Sequence, residues 1–246
     1  MTVLTFVLKG PLQSWGTSSR FARRGTDQMP SKSGVLGLLA AARGIRRTDP
    51  ITELLELTFG VRTDQPGRLV RDFQTERTLD GKVSMPLSER YYLGDAVFLA
   101  GIESDNTELL RGLEYALKNP EFPLYLGRRS CPPAMPFRPE IREGSLAEVL
   151  EAEPWQAAGW YQRNLRAPSV TLEITVDVEP GTPRSVEVRD VPLSFDPQNR
   201  QYLWRSVKTY RVSRANQAYA PDTSDDSAAR DGLLQHDPMA ALSGGI

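Results

Sequence analysis

The chain has 246 residues, of which 39% are hydrophobic and 25% charged, and its formal net charge at pH 7 is −1. This length and composition predict one large globular domain or two small ones. The single cysteine, Cys131, excludes a disulfide framework, and the N-terminus lacks the layout of a signal peptide, which together favour a cytoplasmic protein. The longest apolar run, near residues 35–42, is far shorter than the roughly 20 residues that a transmembrane helix needs.

The near-neutral total hides an uneven distribution of charge. Residues 1–47 carry eight basic side chains and one acidic side chain, a local charge of +7, whereas residues 215–246 carry five aspartates and one arginine, a local charge of −4. A polyanion responds to local charge, so the N-terminal region is a candidate nucleic-acid surface. The basic residues are 25 Arg and 5 Lys. Arginine suits bidentate phosphate contacts, although a GC-rich genome produces the same bias.

The N-terminal third predicts alternating strands and helices. Residues 3–8 are apolar on both alternating faces, as in a central strand, and Gly10-Pro11 ends it. A helix follows Ser33, with a buried stripe at 35, 38, 39 and 42 and a stop at Gly44. A second, short helix is expected with Asp49 as its N-cap, Pro50 in its first turn and Gly60 as its terminator. Strands are expected over residues 61–73, with an interruption, and 96–102.

The segment Gln74–Leu93 between these strands is polar and lacks helical periodicity. Asp80-Gly81 at its middle is a strong hairpin-turn signal, so the segment predicts a protruding β-hairpin. A helix then begins at the capping sequence 105–108, buries leucines and an alanine over 109–117, and ends near Asn119-Pro120. The order β-α-β-β-α is the opening of a ferredoxin-like, RRM-like unit, which makes the fold class α+β.

The remainder predicts a β-rich C-terminal part over residues 145–214. A short helix over 145–151 precedes an alternating strand over 170–178, and further strands are expected over 185–191 and 201–213. Residues 215–246 are rich in Ala, Ser, Asp and Gly and have no periodicity, which predicts a disordered acidic tail.

The side chains available for catalysis are few. The only histidine, His236, lies in the tail, whereas metal-independent RNA cleavage usually needs an imidazole and zinc sites need His or Cys clusters. The acidic residues are scattered, and no phosphate-binding P-loop motif is present. We therefore predict no catalytic residue, no metal and no cofactor. An arrangement of Lys82 with Tyr91 or Tyr92 stays open.

Three segments have the residue types of a binding site. The loop over residues 10–16 contains Gln13 and Trp15, and the tryptophan either stacks on a base or caps the core. Arg20, Arg23, Arg24 and Lys32 lead into the N-terminus of the helix at Ser33, whose free N–H groups favour a phosphate. A solvated basic surface is the alternative there.

The third segment is Tyr125-Leu-Gly-Arg-Arg-Ser-Cys-Pro-Pro133. Gly127 precedes Arg128 and Arg129, and the two prolines stiffen the loop, so guanidinium forks and backbone N–H groups are offered to one ligand. A phosphate is the ligand that this chemistry favours. Structural ion pairs between these arginines and helix carboxylates are the alternative.

Three motifs together resemble one known family. Residues 10–16 (Gly-Pro-Leu-Gln-Ser-Trp-Gly), 30–40 (Pro-Ser-Lys-Ser-Gly-Val-Leu-Gly-Leu-Leu-Ala) and 125–132 are similar to segments of the CasD subunits of type I-E CRISPR Cascade complexes, which belong to the Cas-five family of RAMP proteins. The resemblance covers roughly residues 1–214.

The resemblance implies a non-catalytic, cytoplasmic subunit that binds the crRNA 5′ handle beside the backbone subunit CasC and the large subunit CasA. CasB, CasE and target DNA would be met through the assembled antiviral complex. It also implies a modified RRM-like domain over 1–144 with a thumb at about 74–93. The RNA-binding residues would then be Gln13, Trp15, Arg20, Arg23, Arg24, Lys32, Ser33, Gly127, Arg128 and Arg129, with Arg71, Arg77, Lys82, Met85 and Arg90 on the thumb.

Two other functions stay open at this stage. Relatives in type I-C systems are metal-independent endoribonucleases that process pre-crRNA. The other alternative is a scaffold subunit that binds only proteins.

Overall fold

The computed structural model describes residues 1–16 and 23–219. The strands are β1 (Thr2–Lys9), β2 (Leu12–Gln13), β3 (Arg23–Arg24), β4 (Thr58–Gln65), β5 (Arg68–Gln74), β6 (Ser88–Gly94), β7 (Val97–Ser104), β8 (Glu140–Glu143), β9 (Ser169–Val178), β10 (Val186–Ser194) and β11 (Gln201–Ala215). The helices are α1 (Lys32–Ala42), α2 (Thr52–Leu55), α3 (Thr107–Lys118), α4 (Leu146–Ala152) and α5 (Gly159–Asn164). None of these helices is long and apolar enough to cross a membrane.

A seven-stranded sheet forms the centre of the fold, in the order β10-β11-β9-β4-β7-β1-β8. All of its neighbouring strands are antiparallel. The alternating side chains of β1 pack on opposite faces: Leu4, Phe6 and Leu8 join α1 and α3, whereas Val3 and Val7 join α4. The prediction of a central strand covered on both sides is confirmed.

Four of the seven strands of this sheet come from the first 143 residues. The elements β1, α1, β4, β7, α3 and β8 follow in β-α-β-β-α-β order, and their strands are adjacent as β4-β7-β1-β8. The strand β9 then pairs with β4, so that β9, β10 and β11 extend the same sheet. The fold is therefore a mixed α and β structure dominated by antiparallel sheet, and a domain boundary near residue 145 stays a prediction.

The predicted hairpin is present in a second, smaller sheet. The strands β5 and β6 pair antiparallel, and β6 also pairs with β2 and β3. All residues of the connection 75–87 are exposed, Met85 N donates to Glu76 O at 2.7 Å, and Gly81 has φ +71° in the turn. The hairpin therefore projects from the sheet with Asp80-Gly81 at its tip.

All four predicted helices are present, but the bounds of two of them differ from the expectation. The structure confirms α1, α3 and α4, but α1 begins two residues earlier than expected because Ser31, not Ser33, is its N-cap and accepts from Gly34 N. The helix α2 is only four residues long, with Ile51 at its N-cap instead of Asp49. Gly60 lies within β4, since pairing with β7 and β9 draws residues 58–65 into the sheet.

The C-terminal strands are confirmed, and the fold extends past residue 214. The strand β11 continues to Ala215, and the buried Asn216 side-chain amide lies 2.9–3.1 Å from the carbonyl oxygens of Gln162, Leu165 and Ala167. The strand β8 and the helix α5 were not predicted. Most of the predicted acidic tail, from residue 220 onward, lies outside the described residues.

Candidate nucleic-acid interface

A groove of about 820 Å³ runs between α1, the segment 122–129 and the start of β11. Four arginines line it, and we call it the arginine groove: Arg46, Arg47, Arg129 and Arg200. Besides the fully buried Trp15, four aromatic side chains line the groove: Phe122, Tyr125, Phe195 and Tyr202. Guanidinium groups bind phosphates, and aromatic faces stack on bases, so this combination suits a single-stranded nucleic acid.

The electrostatics of the arginine groove favour an anionic ligand. No aspartate or glutamate is among the described residues that line it, and none of its four guanidinium groups is within 4.0 Å of a described carboxylate. Arg47 Nη2 is 3.3 Å from the hydroxyl oxygen of Tyr125, and the side chains of Arg46, Arg129 and Arg200 are exposed. Within the described fold, the positive charge of the groove is therefore left uncompensated.

Glycines of α1 leave room for the groove. A Cβ on Gly34 would lie 2.8 Å from a ring atom of Trp15, and one on Gly37 would lie 3.4 Å from the ring of Phe195. Larger side chains at these two positions would displace the aromatic rings or fill the groove. The glycines thus let Trp15 and Phe195 pack closely on this face of the helix.

Gly127 brings two of the predicted binding segments together. Its φ is +84°, a left-handed conformation, and a Cβ there would lie only 1.8 Å from the carbonyl oxygen of Ser14. The Ser14 N–H donates to the Leu126 carbonyl at 3.1 Å. The loop after Tyr125 therefore lies directly on the loop that contains Trp15, which sequence spacing alone could not establish.

This arrangement can be compared with known proteins. The model of a family described as CRISPR-associated protein (Cas_Cas5) matches residues 3–208, most of the chain. The chain belongs to this family.

Individual relatives agree with this membership. CRISPR system Cascade subunit CasD of Escherichia coli (strain K12) is 36% identical over 149 residues, and the match covers 53% of this chain and 66%, just under two thirds, of that protein. A chain from a structure titled "CRISPR RNA-guided surveillance complex" is 29% identical with a TM-score of 0.70, covering 95% of this chain and 100% of that one. A further structure, titled "Crystal structure of Cas protein", is 36% identical with a TM-score of 0.65, covering 90% and 100%.

Arg128 and Arg129 are adjacent in this Cas5-family fold, but their surroundings differ. Arg128 Nη2 donates to the carbonyl oxygens of Arg24 and Gly25 at 2.9 and 3.0 Å, and Nη1 donates to that of Tyr91 at 3.2 Å. Its guanidinium also lies over the ring of Tyr92, 4.9 Å from the centroid. The alternative role for Arg128, a helix ion pair, is wrong among the described residues, because no described carboxylate lies within 4.0 Å of its guanidinium group. Backbone carbonyls accept from its two Nη atoms, and a phosphate contact by Arg128 stays a prediction.

The predicted base contacts of Gln13 and Trp15 are also wrong, because both side chains are fully buried. The Trp15 indole N–H donates to Gln13 Oε1 at 3.0 Å, and Gln13 Nε2 donates to Ala96 O at 2.8 Å and Leu8 O at 3.2 Å. Every strong polar atom of the pair is thus satisfied inside the protein. Of the two readings of Trp15, capping of the core is the correct one.

The N-terminus of α1 already has an anion, which contradicts the predicted phosphate site. The Lys32 N–H donates to Asp190 Oδ2 at 2.7 Å, and Lys32 Nζ is 2.8 Å from Asp177 Oδ2 with its side chain only 8% exposed. Two carboxylates from distant strands therefore take the place that a phosphate would occupy. Ser33 differs from Lys32, because it lines the arginine groove, with its hydroxyl 3.2 Å from that of Ser31.

Arg20 lies outside the described residues. The backbone of Arg23 and Arg24 forms β3, which pairs in parallel with Glu89 and Arg90 of β6, and the Arg24 side chain is exposed. The Arg24 carbonyl oxygen accepts from Arg128, so Arg24 lies beside the loop that also carries Arg129 of the arginine groove. A phosphate contact by these arginines stays a prediction.

The predicted thumb residues divide into paired and exposed side chains. Arg90 Nη2 donates to Glu76 at 2.8 Å, and Arg71 lies 4.3 Å over the Phe73 ring and 3.8 Å from Glu89. Lys82 Nζ is 3.8 Å from Asp80, whose pKa is held below its ordinary value by hydrogen bonds from the Thr78 hydroxyl and the Lys82 N–H.

Arg77 and Met85 are both exposed, and Arg77 has no ion-pair partner among the described residues. They are the two thumb candidates most open to a ligand. RNA contact by any residue of the hairpin stays a prediction.

Three of the four arginines of the groove are not among the binding residues predicted from the sequence. Arg46 and Arg47 were counted in the basic N-terminal region, and their position just after the Gly44 helix stop is a signal that could have selected them. Arg200 has no such signal, because only the pairing of β10 with β11 brings it to α1.

Proposed function

We propose that this chain is a non-catalytic crRNA-binding subunit of a type I-E CRISPR Cascade surveillance complex, and that it holds the crRNA 5′ handle in the arginine groove. The observation that carries the proposal is the groove itself, in which four arginines without a described carboxylate partner stand among four aromatic side chains that are not fully buried. Membership of the Cas5 family and the similarity to a Cascade subunit of Escherichia coli support the biological setting.

The chemistry of the groove divides the contacts to RNA into two kinds. Arg46, Arg47, Arg129 and Arg200 contact phosphates, because guanidinium groups match phosphate oxygens with paired N–H donors. The aromatic side chains stack on bases that are free of a duplex, as single-stranded RNA allows. Ser33 adds a hydroxyl at the wall formed by α1.

The fold supports a further part of the proposal. The β-α-β-β-α-β order with adjacent strands β4-β7-β1-β8 fits a ferredoxin-like core over residues 1–144, and the β5-β6 hairpin is the proposed thumb. Exposed Arg77 and Met85 would then lie beside the first guide nucleotides. Residues 145–214 would form the additional β-rich part, ahead of an acidic tail.

The proposed partners are the backbone subunit CasC and the large subunit CasA, with CasB, CasE and target DNA met through the assembled complex in the cytoplasm. Exposed apolar side chains on the hairpin support a surface that partners cover: Leu69, Phe73, Leu79, Val83, Met85 and Leu87.

The decisive experiment measures binding of the purified chain to a fluorescently labelled single-stranded RNA that carries the 5′ handle of the host repeat. Arg129→Ala combined with Arg200→Ala should weaken binding by at least about tenfold and lower the magnitude of the salt slope by about 0.7 per lost phosphate contact. Arg111→Ala is the matched control, because Arg111 is exposed on α3 and its ion-pair partner among the described residues is the exposed Glu108.

Unchanged affinity in the double variant would rule out the groove as the RNA site. The same preparation, incubated with full repeat RNA in the absence of metal, tests the non-catalytic assignment. A discrete cleavage product would instead identify an endoribonuclease of the type I-C kind. Partner binding that survives nuclease treatment and is insensitive to salt would identify a protein-only scaffold.

A further inference from the structure

A buried ion cluster lies behind the arginine groove and consists of Lys32, Asp177, Asp190 and Arg205. Arg205 Nε and Nη2 are 2.5 and 2.9 Å from the two carboxylate oxygens of Asp190, and Arg205 Nη1 donates to Asp177. Lys32 Nζ is 2.8 Å from the other oxygen of Asp177. These side chains are only 1–13% exposed, so the pairs are largely shielded from water.

The cluster joins four separate elements. Asp177 is in β9, Asp190 in β10, Arg205 in β11 and Lys32 in the first turn of α1. Asp190 makes the decisive connection, because the oxygen that accepts from Arg205 Nη2 also accepts from the Lys32 backbone N–H at 2.7 Å. One carboxylate thus ties the β10-β11 pair to the start of α1.

Those same elements form opposite walls of the arginine groove. The first turns of α1 contribute Ser33, Gly34 and Gly37, whereas the connection between β10 and β11, with the start of β11, contributes Phe195, Arg200 and Tyr202. Arg205 lies only three residues after Tyr202 in β11. The position of the 195–202 wall relative to α1 therefore depends on the cluster. The Phe195 ring, which lies close to Gly37 of α1, is a further contact between the two walls.

Arginine is suited to this task in a way that lysine is not. The planar guanidinium has donors on three nitrogens in a fixed fork, so it pairs with both oxygens of Asp190 and with Asp177 at once, whereas the three donors of an ammonium group share one nitrogen on a flexible stem. The cluster is neutral, with two positive and two negative groups, so removal of the Arg205 charge would leave a buried carboxylate uncompensated.

We propose that Arg205 is a positioning residue, which fixes the 195–202 wall of the arginine groove against α1 and so sets the width of the groove for single-stranded RNA. This inference rests on the proposed function for its RNA ligand, but the positioning itself can be measured without RNA.

The test compares Arg205→Lys with the unaltered chain in two measurements. Hydrogen–deuterium exchange should become about tenfold faster or more in residues 195–202 and in the first turn of α1, because a lysine ammonium cannot reproduce the forked pairing with both oxygens of Asp190 while it also contacts Asp177. Affinity for the handle RNA should fall by about tenfold, because the arginines of the two walls no longer meet the backbone together.

Two control variants separate positioning from general destabilisation. Arg211→Ala removes another arginine of β11, one that is 73% exposed on the side chain and 3.7 Å from Glu173, and should change neither measurement. Ile174→Val trims a fully buried side chain of β9 and should lower thermal stability without changing RNA affinity.

The outcomes are distinct. Faster exchange confined to the two walls, with weaker RNA binding, supports the proposal, and unchanged exchange in 195–202 overturns it. Faster exchange with unaltered RNA affinity also overturns it, since the wall would then move without consequence. If the unaltered chain fails to bind RNA, the proposed function fails, and exchange alone decides whether Arg205 holds the wall.

Discussion

Arginines of the interior and arginines of the groove have opposite surroundings in this protein. Arg62 is fully buried, and its Nε and Nη2 atoms lie 2.7 and 2.8 Å from the two carboxylate oxygens of Asp64. It also donates to the carbonyl oxygens of Leu150, Glu153 and Pro154. Arg129 and Arg200 in the groove have no carboxylate partner among the described residues. The role of an arginine here depends on whether the chain itself supplies the acceptor.

Arg128 and Arg129 show the same contrast within two residues. The side chain of Arg128 binds three backbone carbonyls and joins two segments of the fold, whereas that of Arg129 faces the groove. The left-handed turn at Gly127 precedes both. A motif of two arginines therefore contains one structural residue and one candidate ligand contact.

The largest effect should come from Arg62→Ala. It leaves Asp64 as an uncompensated buried charge and three carbonyls without a donor, so the free energy of unfolding should fall by about 3–5 kcal/mol. Urea denaturation followed by circular dichroism measures this loss. The exposed Arg111 gives the reference, since Arg111→Ala should stay within about 0.5 kcal/mol. A loss below about 1 kcal/mol for Arg62→Ala would contradict the view that the buried arginines stabilise the fold through acceptors that the chain itself supplies.

The next effect should come from Gly127→Ala, with Gly81→Ala as its matched control. Both glycines have positive φ, +84° and +71°, so alanine is strained at each by about 1–2 kcal/mol. Only Gly127 has a backbone atom in the way, 1.8 Å from the added Cβ, and nothing lies within 4 Å at Gly81. Gly127→Ala should therefore lower the free energy of unfolding clearly more than Gly81→Ala. Equal losses of stability in the two variants would show that the loop containing Ser14 moves aside at little cost.

The two adjacent arginines allow the sharpest comparison. Arg128→Ala should lower the free energy of unfolding by about 1.5–3 kcal/mol, because hydrogen bonds from a charged group are lost. Arg129→Ala should change it by less than about 0.5 kcal/mol while weakening RNA binding. Denaturation curves and RNA titrations on the two single variants measure both quantities. The reverse pattern would exchange the roles of the two residues.

The reactivity of the Cys131 thiol provides a second measurement that distinguishes Arg128 from Arg129. Burial raises the pKa of its thiol, so little thiolate forms near neutral pH and a thiol reagent should react slowly with the folded chain. Arg128 counteracts the effect of burial on this pKa, so its loss raises the pKa further. The rate should nevertheless rise in Arg128→Ala, because the loosened loop exposes the thiol, but not in Arg129→Ala. The reaction in urea, where the thiol is free, gives the upper limit of the rate.

Periodicity and turn signals predicted the elements that depend on nearby residues. The strand β1, the helix α3 and the Asp80-Gly81 hairpin are examples, since their patterns are complete within a few turns or residues. Failure came where a distant partner decides the outcome. Asp177 and Asp190, about 150 residues away in the chain, neutralise Lys32 and fill the helix terminus that was expected to bind phosphate.

The same reason explains the errors in the candidate site. The burial of Trp15 depends on α1 and on the loop after Tyr125, and the arrival of Arg200 depends on strand pairing. The resemblance to the family selected three segments that the fold brings into contact with one another. The environment of each side chain within those segments required the tertiary structure.

The placement of β1 has a consequence for synthesis of the chain. Its two neighbours are β7 and β8, so a strand with five apolar residues out of eight must wait for the segment 10–96 to be made before its first partner exists. At about 5–20 residues per second, this wait is roughly 4–17 seconds. During that interval the N-terminal segment is exposed on the nascent chain, where general chaperones would have their best opportunity to bind it.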